Sequence, residues 1–566
     1  MHLQQITPHS AQAPHTPRHW LWALLIVFTV AWFAMLDART LAPTDEGRYA
    51  EMAREMLVTG DWVTPRLNGI KYFYKPPLQT WMNAATFAAF GLGEWQARFW
   101  TGLCGYAGIL LTFLAGARVY GQRTGLIAAA ILAACFWWAG MGHINTLDMG
   151  LSGLMTLSLM ALLIAQREGA SERERMRYML LCWAGMAGAT MSKGLIGIVL
   201  PGAVLVLYTL ITRDWALWGR LYLGRGLLLF FALCAPWFIL VSLRNPEFPH
   251  YFFIHEHFER FLTKVHQRYG PWYYFIPLLI IGLLPWLALL PAALRAGFKR
   301  DPGRFQPRLM LLIWGVFIFF FFSYSSSKLP SYILPIFPAL ALLLALAAQE
   351  AKRSHLLAMA GLPLLLALIG MPFISRIPEL NKIPAEAAIY AAFVPWTWAA
   401  LICLGAGALL AMLWLLKDSP RMRERAVLVL AVAGFAWGQL MVQGSEAGGR
   451  HRAGMEIIPA MQAQLRPEMK LYAFGLYEQC IPFYLRRTMV QVEHKDELAF
   501  GLSQEPHLWI PHREAFFKIW REGPPAMMLA RPDVARALKE QGLPLWTVAA
   551  DTRRVALMNR PLPGKE

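Results

Sequence analysis

The chain has 566 residues, of which 57% are hydrophobic and 16% are charged. Because a soluble globular protein carries about 25% charged residues, this composition excludes that class. The formal net charge of +18 is typical of the basic cytoplasmic loops of a membrane protein, and it would also favour an anionic partner such as a lipid phosphate. No compact basic face lies outside the loops, so nucleic acid is not an expected partner.

Apolar runs, each long enough to cross about 30 Å of hydrocarbon, recur through residues 1–443. They predict a polytopic α-helical membrane protein with about thirteen transmembrane helices, because a β-barrel would instead show alternating segments of about ten residues. The predicted spans are 20–36, 97–117, 124–142, 149–166, 178–192, 195–212, 226–243, 275–294, 309–324, 332–350, 355–373, 396–416 and 427–443.

The connections between these spans are of two kinds. Alternate connections are short and rich in arginine and lysine, and the positive-inside rule places them in the cytoplasm together with the N-terminus. An odd number of spans then puts residues 444–566 outside, where alternating strand-like pieces (470–474, 488–492) and helical pieces (514–521, 533–540) predict a small α/β domain. In a bacterial inner membrane that side is the periplasm. The external connections are 37–80, 143–148, around 193, 244–274, 325–331 and 374–395.

The first external connection predicts an interfacial helix that begins at Thr44 or Asp45. Asp45 is either a helix cap or a catalytic carboxylate at the lipid–water border, and Glu46 is either favourable to the helix dipole or a second catalytic acid. Arg48, one turn along, suits a phosphate. The expected apolar face holds Tyr49, Met52, Ala53 and Met56, and the polar face holds Arg48, Glu51, Arg54 and Glu55.

Tyr72 and Lys75 lie further along the same connection, in the segment 71–78. Aromatic residues beside lysines are typical of an interfacial belt. Two consecutive prolines after Lys75 fix the backbone, however, and would aim its ammonium at a fixed position. We therefore expect Lys75, with Tyr72 close to it, to bind a lipid phosphate.

Three short polar segments lie at other external borders. Asp148 is expected about one turn inside a helix that Asn145 or Thr146 would cap, and it is a candidate second catalytic carboxylate. Lys193, Lys328 and Tyr332 are candidates for binding the donor phosphate, although each also fits an ordinary interfacial anchor. The clusters share one predicted face of the membrane, which makes a common site more probable than separate anchors.

The connection 244–274 contains a candidate metal-binding segment, His255-Glu256-His257, within another predicted interfacial helix. Residues two apart do not share a helix face, so a zinc or magnesium ion would need a further ligand from another loop. No organic cofactor is expected.

The segment 43–56, followed by Gly60-Asp61-Trp62, resembles the first external loop of the bacterial oligosaccharyl- and protein-mannosyltransferase-like membrane glycosyltransferases. Residues 72–76, Asp148, 192–194, 250–261 and 328–334 fit the same pattern. Within that fold the chain is most similar to the lipid A aminoarabinose transferases. The resemblance covers roughly the first 350 residues, and the tail matches only in its position. Related chains often carry an acidic residue before the Lys-Pro pair, where this chain has Tyr74.

The resemblance implies a fold-C glycosyltransferase (GT-C). Separately, we expect the protein to be a monomer in contact with membrane lipids. Its catalytic domain would span residues 1–443, with the site formed by connections 37–80 and 244–274, and residues 444–566 would form the periplasmic domain. It implies inverting transfer of 4-amino-4-deoxy-L-arabinose from undecaprenyl phosphate to a lipid A phosphate, which gives resistance to polymyxin and other cationic peptides. Asp45 would be the essential carboxylate, and Arg48 and Lys75 would hold the donor phosphate. The alternatives are a protein O-mannosyltransferase and, less favoured, a lipid flippase, which would place its ionisable residues near the bilayer midplane.

Overall fold

The computed structural model describes residues 18–259, 270–417 and 419–561, without the side chains of 18–21 and 257–259. Within these ranges every predicted span contains a helix. Eight helices are long and apolar enough to cross a membrane, or nine if the pair Phe275–Gly282 and Leu287–Gly297, bent by 110°, counts as one span. The helices of the membrane region are Arg18–Ala34, Glu94–Tyr120, Gln122–Ala134, Phe136–Met141, Leu147–Gln166, Glu172–Lys193, Ile196–Thr212, Leu223–Arg244, Phe275–Gly282, Leu290–Gly297, Pro307–Tyr324, Phe337–Glu350, Arg353–Gly370, Val394–Leu415 and Pro420–Gly444.

The bundle is closely packed where small residues face a neighbouring backbone. A Cβ atom added at Gly153 would lie 2.7 Å from the Cys104 carbonyl oxygen, and one at Gly185 would lie 2.8 Å from that of Leu154. Small residues at such positions let membrane helices approach until their backbones touch. The helices that carry Asp148 and Lys193 are packed in this way.

The two kinds of connection lie on different faces of the bundle. The basic connections contact one another through ion pairs, among them Arg118–Glu174 at 2.9 Å and Lys299–Glu350 at 2.6 Å. The polar clusters singled out above meet at the other end, beside the C-terminal domain. The alternation of connections along the sequence therefore corresponds to two separate ends of the molecule.

The C-terminal domain is built on a six-stranded sheet. With β1 (Arg66–Leu67) and β2 (Ile70–Lys71) forming a hairpin in the first external connection, the sheet has the order β5-β4-β3-β6-β8-β7. Strands β3, β4, β5 and β6 are parallel, whereas β8 pairs antiparallel with β6 and β7. The sheet strands are β3 (Lys470–Phe474), β4 (Val490–Val492), β5 (Trp509–Ile510), β6 (Ala526–Ala530), β7 (Trp546–Ala550) and β8 (Val555–Met558).

Short helices cover the sheet, and apolar residues fill both sides of it. Helices Arg513–Glu522 and Pro532–Glu540 pack against one side through Phe516 and Leu538, and Ile458–Gln464 packs against the other. The predicted strand at 470–474 is confirmed, and the one predicted at 488–492 begins two residues later. The remaining helices of this region are Glu446–Arg452, Ile481–Leu485 and Ala499–Gln504.

The first-loop helix (Asp45–Thr59) joins the bundle to the C-terminal domain. The sequence predicted an exposed polar face for this helix, and that prediction is wrong: Glu51, Arg54 and Glu55 are all buried. Arg54 pairs with Glu51 at 2.6 Å, and the Glu55 carboxylate accepts hydrogen bonds from backbone N–H groups of the β1–β2 turn. The second domain covers the face that the sequence pattern assigns to water.

The external connection that follows the helix Leu223–Arg244 is also more buried within the protein than a helix at the membrane interface would be. Its π-helical segment His250–Glu259 buries Tyr251 and Phe252. The Tyr251 ring stacks on Phe500 of the C-terminal domain with 3.7 Å between centroids. The segment is therefore packed between the two domains as far as the structure describes it.

At Gly47 the first-loop helix packs directly against the backbone of the C-terminal domain. An added Cβ would lie 2.6 Å from Cys480 Sγ and 2.8 Å from the Cys480 backbone nitrogen. We predict that Gly47→Ala lowers stability by about 1–3 kcal/mol, since the backbone has to move away. Thermal unfolding in detergent measures the effect. Gly202→Ala, at a helical position with no atom within 4 Å, is the matched control, and an equal loss in both variants would contradict the assigned contact.

Candidate active site

One cavity of about 330 Å³ lies where the external connections meet the C-terminal domain. It brings together seven of the nine residues that the sequence predicted as catalytic or donor-binding, namely Asp45, Arg48, Tyr72, Lys75, Asp148, Lys193 and Tyr332. These residues are far apart in the chain and converge only in the folded protein. We refer to this space as the site cavity. Its other lining residues are Tyr49, Tyr74, Thr146, Leu147, Leu329, Asp496 and Glu497.

Arg48 connects two carboxylates at one wall of the cavity. Its Nη1 lies 2.6 Å from Asp45 Oδ1, and its Nη2 lies 2.6 Å from Glu497 Oε2. The Arg48 side chain is 9% exposed, whereas the Asp45 side chain is 40% exposed. The two residues are one turn apart on the first-loop helix, so the helix itself sets the pair. Asp45 thus keeps carboxylate surface open to the cavity while a fixed guanidinium holds it.

Lys75 supplies a second fixed cation. Its Nζ lies 3.2 Å from Oε2 of the fully buried Glu256 carboxylate. Tyr72 and Tyr74 stack with 4.7 Å between ring centroids, and the Tyr72 hydroxyl donates to Glu497 at 3.1 Å. Side-chain contacts therefore hold the segment before the two prolines in place.

Asp148 and Lys193, which also line the cavity, form an ion pair. Thr146 is the helix cap, and its hydroxyl accepts a hydrogen bond from the Asp148 backbone N–H. Asp148 lies in the first turn of its helix and Lys193 is the last residue of the next, so each charge is stabilised by its own helix dipole. The Lys193 ammonium also lies 4.5 Å from the centroid of the Tyr332 ring.

Glu46 does not line the cavity, so the structure does not bring this predicted catalytic residue together with the others. The side chain is 2% exposed and accepts hydrogen bonds from Arg98 Nε at 2.6 Å and from the backbone N–H groups of Ala42 and Asn145. Burial alone would raise the pKa of Glu46, but the Arg98 and Arg39 guanidiniums outweigh it and hold that pKa at about 2. Glu46 is a structural carboxylate that anchors the start of the first-loop helix.

Lys328, which the sequence predicted to bind the donor phosphate, is also outside the cavity lining. The buried ammonium donates to the Ser323 carbonyl at 2.7 Å and to the Ser325 carbonyl at 2.8 Å. Burial lowers the pKa of this amine. Lys328 therefore stabilises the turn to which it belongs. Ser331, three residues further along the chain, contacts the site instead: its hydroxyl donates a hydrogen bond to Asp148 Oδ2 at 2.9 Å.

The described residues do not form a complete metal-binding site. In ranges 18–259, 270–417 and 419–561, no group of three His, Cys, Asp or Glu side chains is arranged to hold an ion. The Glu256 carboxylate faces the Lys75 ammonium, and the His255 ring stacks on Tyr251 at 5.1 Å. The His257 side chain lies outside the described residues, so metal binding stays a prediction and no catalytic step below depends on it.

Sequence reasoning missed the contribution of the C-terminal domain. Asp496 and Glu497 line the cavity, although more than 400 residues separate them from Asp45. The pattern around them, a short 3-10 helix (Asp496–Leu498) after β4, carries no catalytic signal.

A second, larger cavity of about 670 Å³ lies between the first-loop helix and the C-terminal domain. Two of its arginines pair with carboxylates outside its lining: Arg54 with Glu51 at 2.6 Å, and Arg66 with Glu505 at 3.0 Å. None of the predicted catalytic residues lines it. The smaller cavity, with its open carboxylate and fixed cations, is the candidate active site.

Two protein-family models match the chain. Residues 74–240 match "Dolichyl-phosphate-mannose-protein mannosyltransferase", and residues 457–559 match "Aminoarabinose transferase C-terminal domain". The expectation that the tail resembles the family only in its position is therefore wrong, since the tail itself carries a family-specific match.

Curated relatives and solved structures agree with these matches. The undecaprenyl phosphate-alpha-4-amino-4-deoxy-L-arabinose arabinosyl transferase of Edwardsiella ictaluri is 31% identical over 85% of this chain and 87% of its own length. The enzyme of the same name from Aeromonas salmonicida is 35% identical, over 58% of this chain and 60% of that relative, which is less than two thirds of its length. The crystal structure of ArnT from Cupriavidus metallidurans bound to undecaprenyl phosphate is 40% identical, with a TM-score of 0.92 over 96% of this chain and 99% of that one.

The fold and the site cavity, taken with these matches, define a membrane glycosyltransferase of the GT-C class. More specifically, the chain belongs to the family of undecaprenyl phosphate-alpha-4-amino-4-deoxy-L-arabinose arabinosyl transferases. The predicted fold class is confirmed.

The buried Glu46–Arg98 pair generates a test of the site's architecture. Removing one partner of a buried pair costs about 3–5 kcal/mol, because it leaves the other charge uncompensated. We predict such a loss for Arg98→Gln and less than about 1 kcal/mol for Arg118→Gln, whose side chain is 48% exposed in its pair with Glu174. Chemical unfolding in detergent measures both.

The same pair sets the acid sensitivity of the fold. The folded-state pKa of Glu46, at about 2, lies below its ordinary value of 4.5, so the stabilisation is present above pH 4.5 and is lost as the pH falls from 4.5 towards 2. Arg98→Gln should flatten the stability profile in that window and Arg118→Gln should not. Unchanged profiles in both variants would contradict the role assigned to Glu46.

Proposed function

We propose that this protein transfers 4-amino-4-deoxy-L-arabinose from undecaprenyl phosphate to a phosphate of lipid A. The observation that carries the proposal is the arrangement at the site cavity, where an open carboxylate, Asp45, lies beside two fixed cations, Arg48 and Lys75. Family membership supports the donor, because relatives are named for undecaprenyl phosphate-linked aminoarabinose. The acceptor follows from the chemistry below and from the family resemblance.

The leaving group explains the cations. As the bond between the anomeric carbon and the phosphate oxygen breaks, its electron pair stays on the polyprenyl phosphate, which gains negative charge. Guanidinium and ammonium groups already in place stabilise that charge without having to reorganise. Arg48 and Lys75 are the candidates for this work, and their carboxylate partners keep them in position before substrate arrives.

A phosphate acceptor explains why no histidine base lines the described cavity. The acceptor phosphate is already an anion near neutral pH, so one of its oxygens attacks the anomeric carbon without first losing a proton to a base. Asp45 then stabilises the positive charge that develops on the sugar ring and orients the acceptor. Attack on the face opposite the leaving group inverts the anomeric carbon. The added amine offsets phosphate charge, which lowers the affinity of cationic peptides such as polymyxin for the cell surface.

Mass spectrometry of lipid A tests the proposal directly. Cells that lack their own activity and express the parent protein should gain the mass of one aminopentose per modified phosphate. Asp45→Asn keeps the size of the side chain and removes its charge, and we predict that it lowers modification at least about a hundredfold.

The control for this change is Asp37→Asn. Asp37 is an exposed carboxylate of the same connection that does not line the cavity, so modification should stay at the parent level. Full modification by Asp45→Asn would remove Asp45 from the mechanism, and absence of modification by the parent protein would overturn the proposed function.

Transfer to a protein hydroxyl is the second candidate, favoured by the mannosyltransferase model that matches residues 74–240. A hydroxyl acceptor would need Asp45 as a general base. Glycosylated protein in cells with unmodified lipid A would favour this candidate.

We also propose that the site faces the periplasm of a bacterial inner membrane. The basic connections that contact one another at the opposite end support this orientation through the positive-inside rule. In cells with a permeabilised outer membrane, an impermeant maleimide should label Ser503→Cys but not Lys417→Cys, both placed at exposed positions in a Cys403→Ser background. The reverse labelling would overturn the orientation without affecting the chemistry.

A further inference from the structure

We propose that Asp496, from the C-terminal domain, recognises the charged amino group of the donor sugar and so selects an amino sugar over a neutral one. The inference rests on the proposed function and deepens it, because it assigns a specificity-determining residue to the same cavity.

The charges of the cavity are unequal. Four carboxylates line it, those of Asp45, Asp148, Asp496 and Glu497, against three cations, Arg48, Lys75 and Lys193. Each cation already contacts a carboxylate: Arg48 contacts Asp45 and Glu497, Lys193 contacts Asp148, and Lys75 contacts Glu256, which lies behind the wall. The site is therefore richer in negative charge than binding of a phosphate alone would favour.

Asp496 is the lining carboxylate that has no cation of its own. Within the described residues its side chain makes no hydrogen bond or ion pair, although its charge acts on the His494 imidazole. The side chain is exposed at the cavity, so a ligand can reach it. A ligand with a positive charge would supply the counterion that this carboxylate lacks.

The backbone holds Asp496 at this position. Its φ of +35° is rare for a residue with a side chain, which indicates that the surrounding contacts impose it. The next residue supplies those contacts: Glu497 pairs with Arg48, accepts from the Tyr72 hydroxyl and accepts from Gln479 Nε2 at 2.8 Å. Because Glu497 is fixed by three donors, its neighbour cannot leave the cavity rim.

The shape of the sugar fits this placement. A 4-amino-4-deoxy pentose has no oxygen on C4, so its ring closes through O5 as a six-membered pyranose, and C1 and C4 lie at opposite ends of that ring. The phosphate on C1 is taken by the cations of the cavity, and the C4 ammonium then points away from them. A carboxylate at the rim, rather than another cation, is the group that such a zwitterionic donor requires.

Donor competition tests the inference in the purified full-length protein. The two donors are short-chain prenyl phosphates that carry either 4-amino-4-deoxy-L-arabinose or L-arabinose in the pyranose form, which differ by an ammonium against a hydroxyl. With lipid A as acceptor, the ratio of kcat/KM for the amino donor to that for the hydroxyl donor should fall about five- to tenfold in Asp496→Asn. The change should come from the KM of the amino donor, and Asp496→Glu should restore part of the ratio.

The matched control is Asp533→Asn, an exposed carboxylate of the same domain outside the cavity, whose ratio should stay within about twofold of the parent. The ratio does not depend on the fraction of folded protein, so a loss of stability cannot imitate the effect. An unchanged ratio in an active Asp496→Asn protein would overturn the assignment and leave the proposed function intact. If the parent transfers neither sugar, the proposed function fails and this inference fails with it.

Discussion

The geometry of the site depends on a buried ion pair that lies outside the site cavity. Arg98 donates to both Glu46 oxygens and to the backbone carbonyls of Leu36, Arg39 and Thr40, so one guanidinium gathers the chain that leads into the first-loop helix. Glu46 also accepts from the backbone of Asn145, which begins the turn that carries Asp148. The two external turns that supply the cavity's aspartates are thereby tied to a single anchor. Asp45 can face the cavity because the adjacent carboxylate, Glu46, makes the anchoring contacts.

In the site cavity, cations and carboxylates are paired with one another. Each of its cations is held by a carboxylate before any ligand arrives, which preorganises the phosphate-binding groups and avoids an uncompensated charge at a membrane border. One of these carboxylates, Glu497, comes from the C-terminal domain. That domain is therefore part of the site. The first-loop helix is buried because the same domain packs over it.

Much of this was accessible from the sequence, and the exceptions have physical reasons. Hydropathy located the helices, the alternation of basic and polar connections grouped Asp45, Lys75, Asp148 and Lys193, and the Pro pair predicted that Lys75 is fixed. Neither the burial of Glu51 and Glu55 nor the entry of Glu497 into the cavity could be predicted, because both depend on contacts between segments more than 400 residues apart. A charged helix face indicates solvent only if no second domain covers it.

The contrast between Asp45 and Glu46 shows how adjacent acids acquire different roles. Successive helical residues point about 100° apart, so Asp45 shares a face with Arg48 and Tyr49, both of which line the cavity, whereas Glu46 turns towards Arg98. Helix geometry alone thus separates the open carboxylate from the buried one once the helix start is known. From the sequence alone both acids are catalytic candidates, because it does not show that Arg98 is the partner of Glu46. Arg98 lies beyond the first external connection and reaches Glu46 only in the folded bundle.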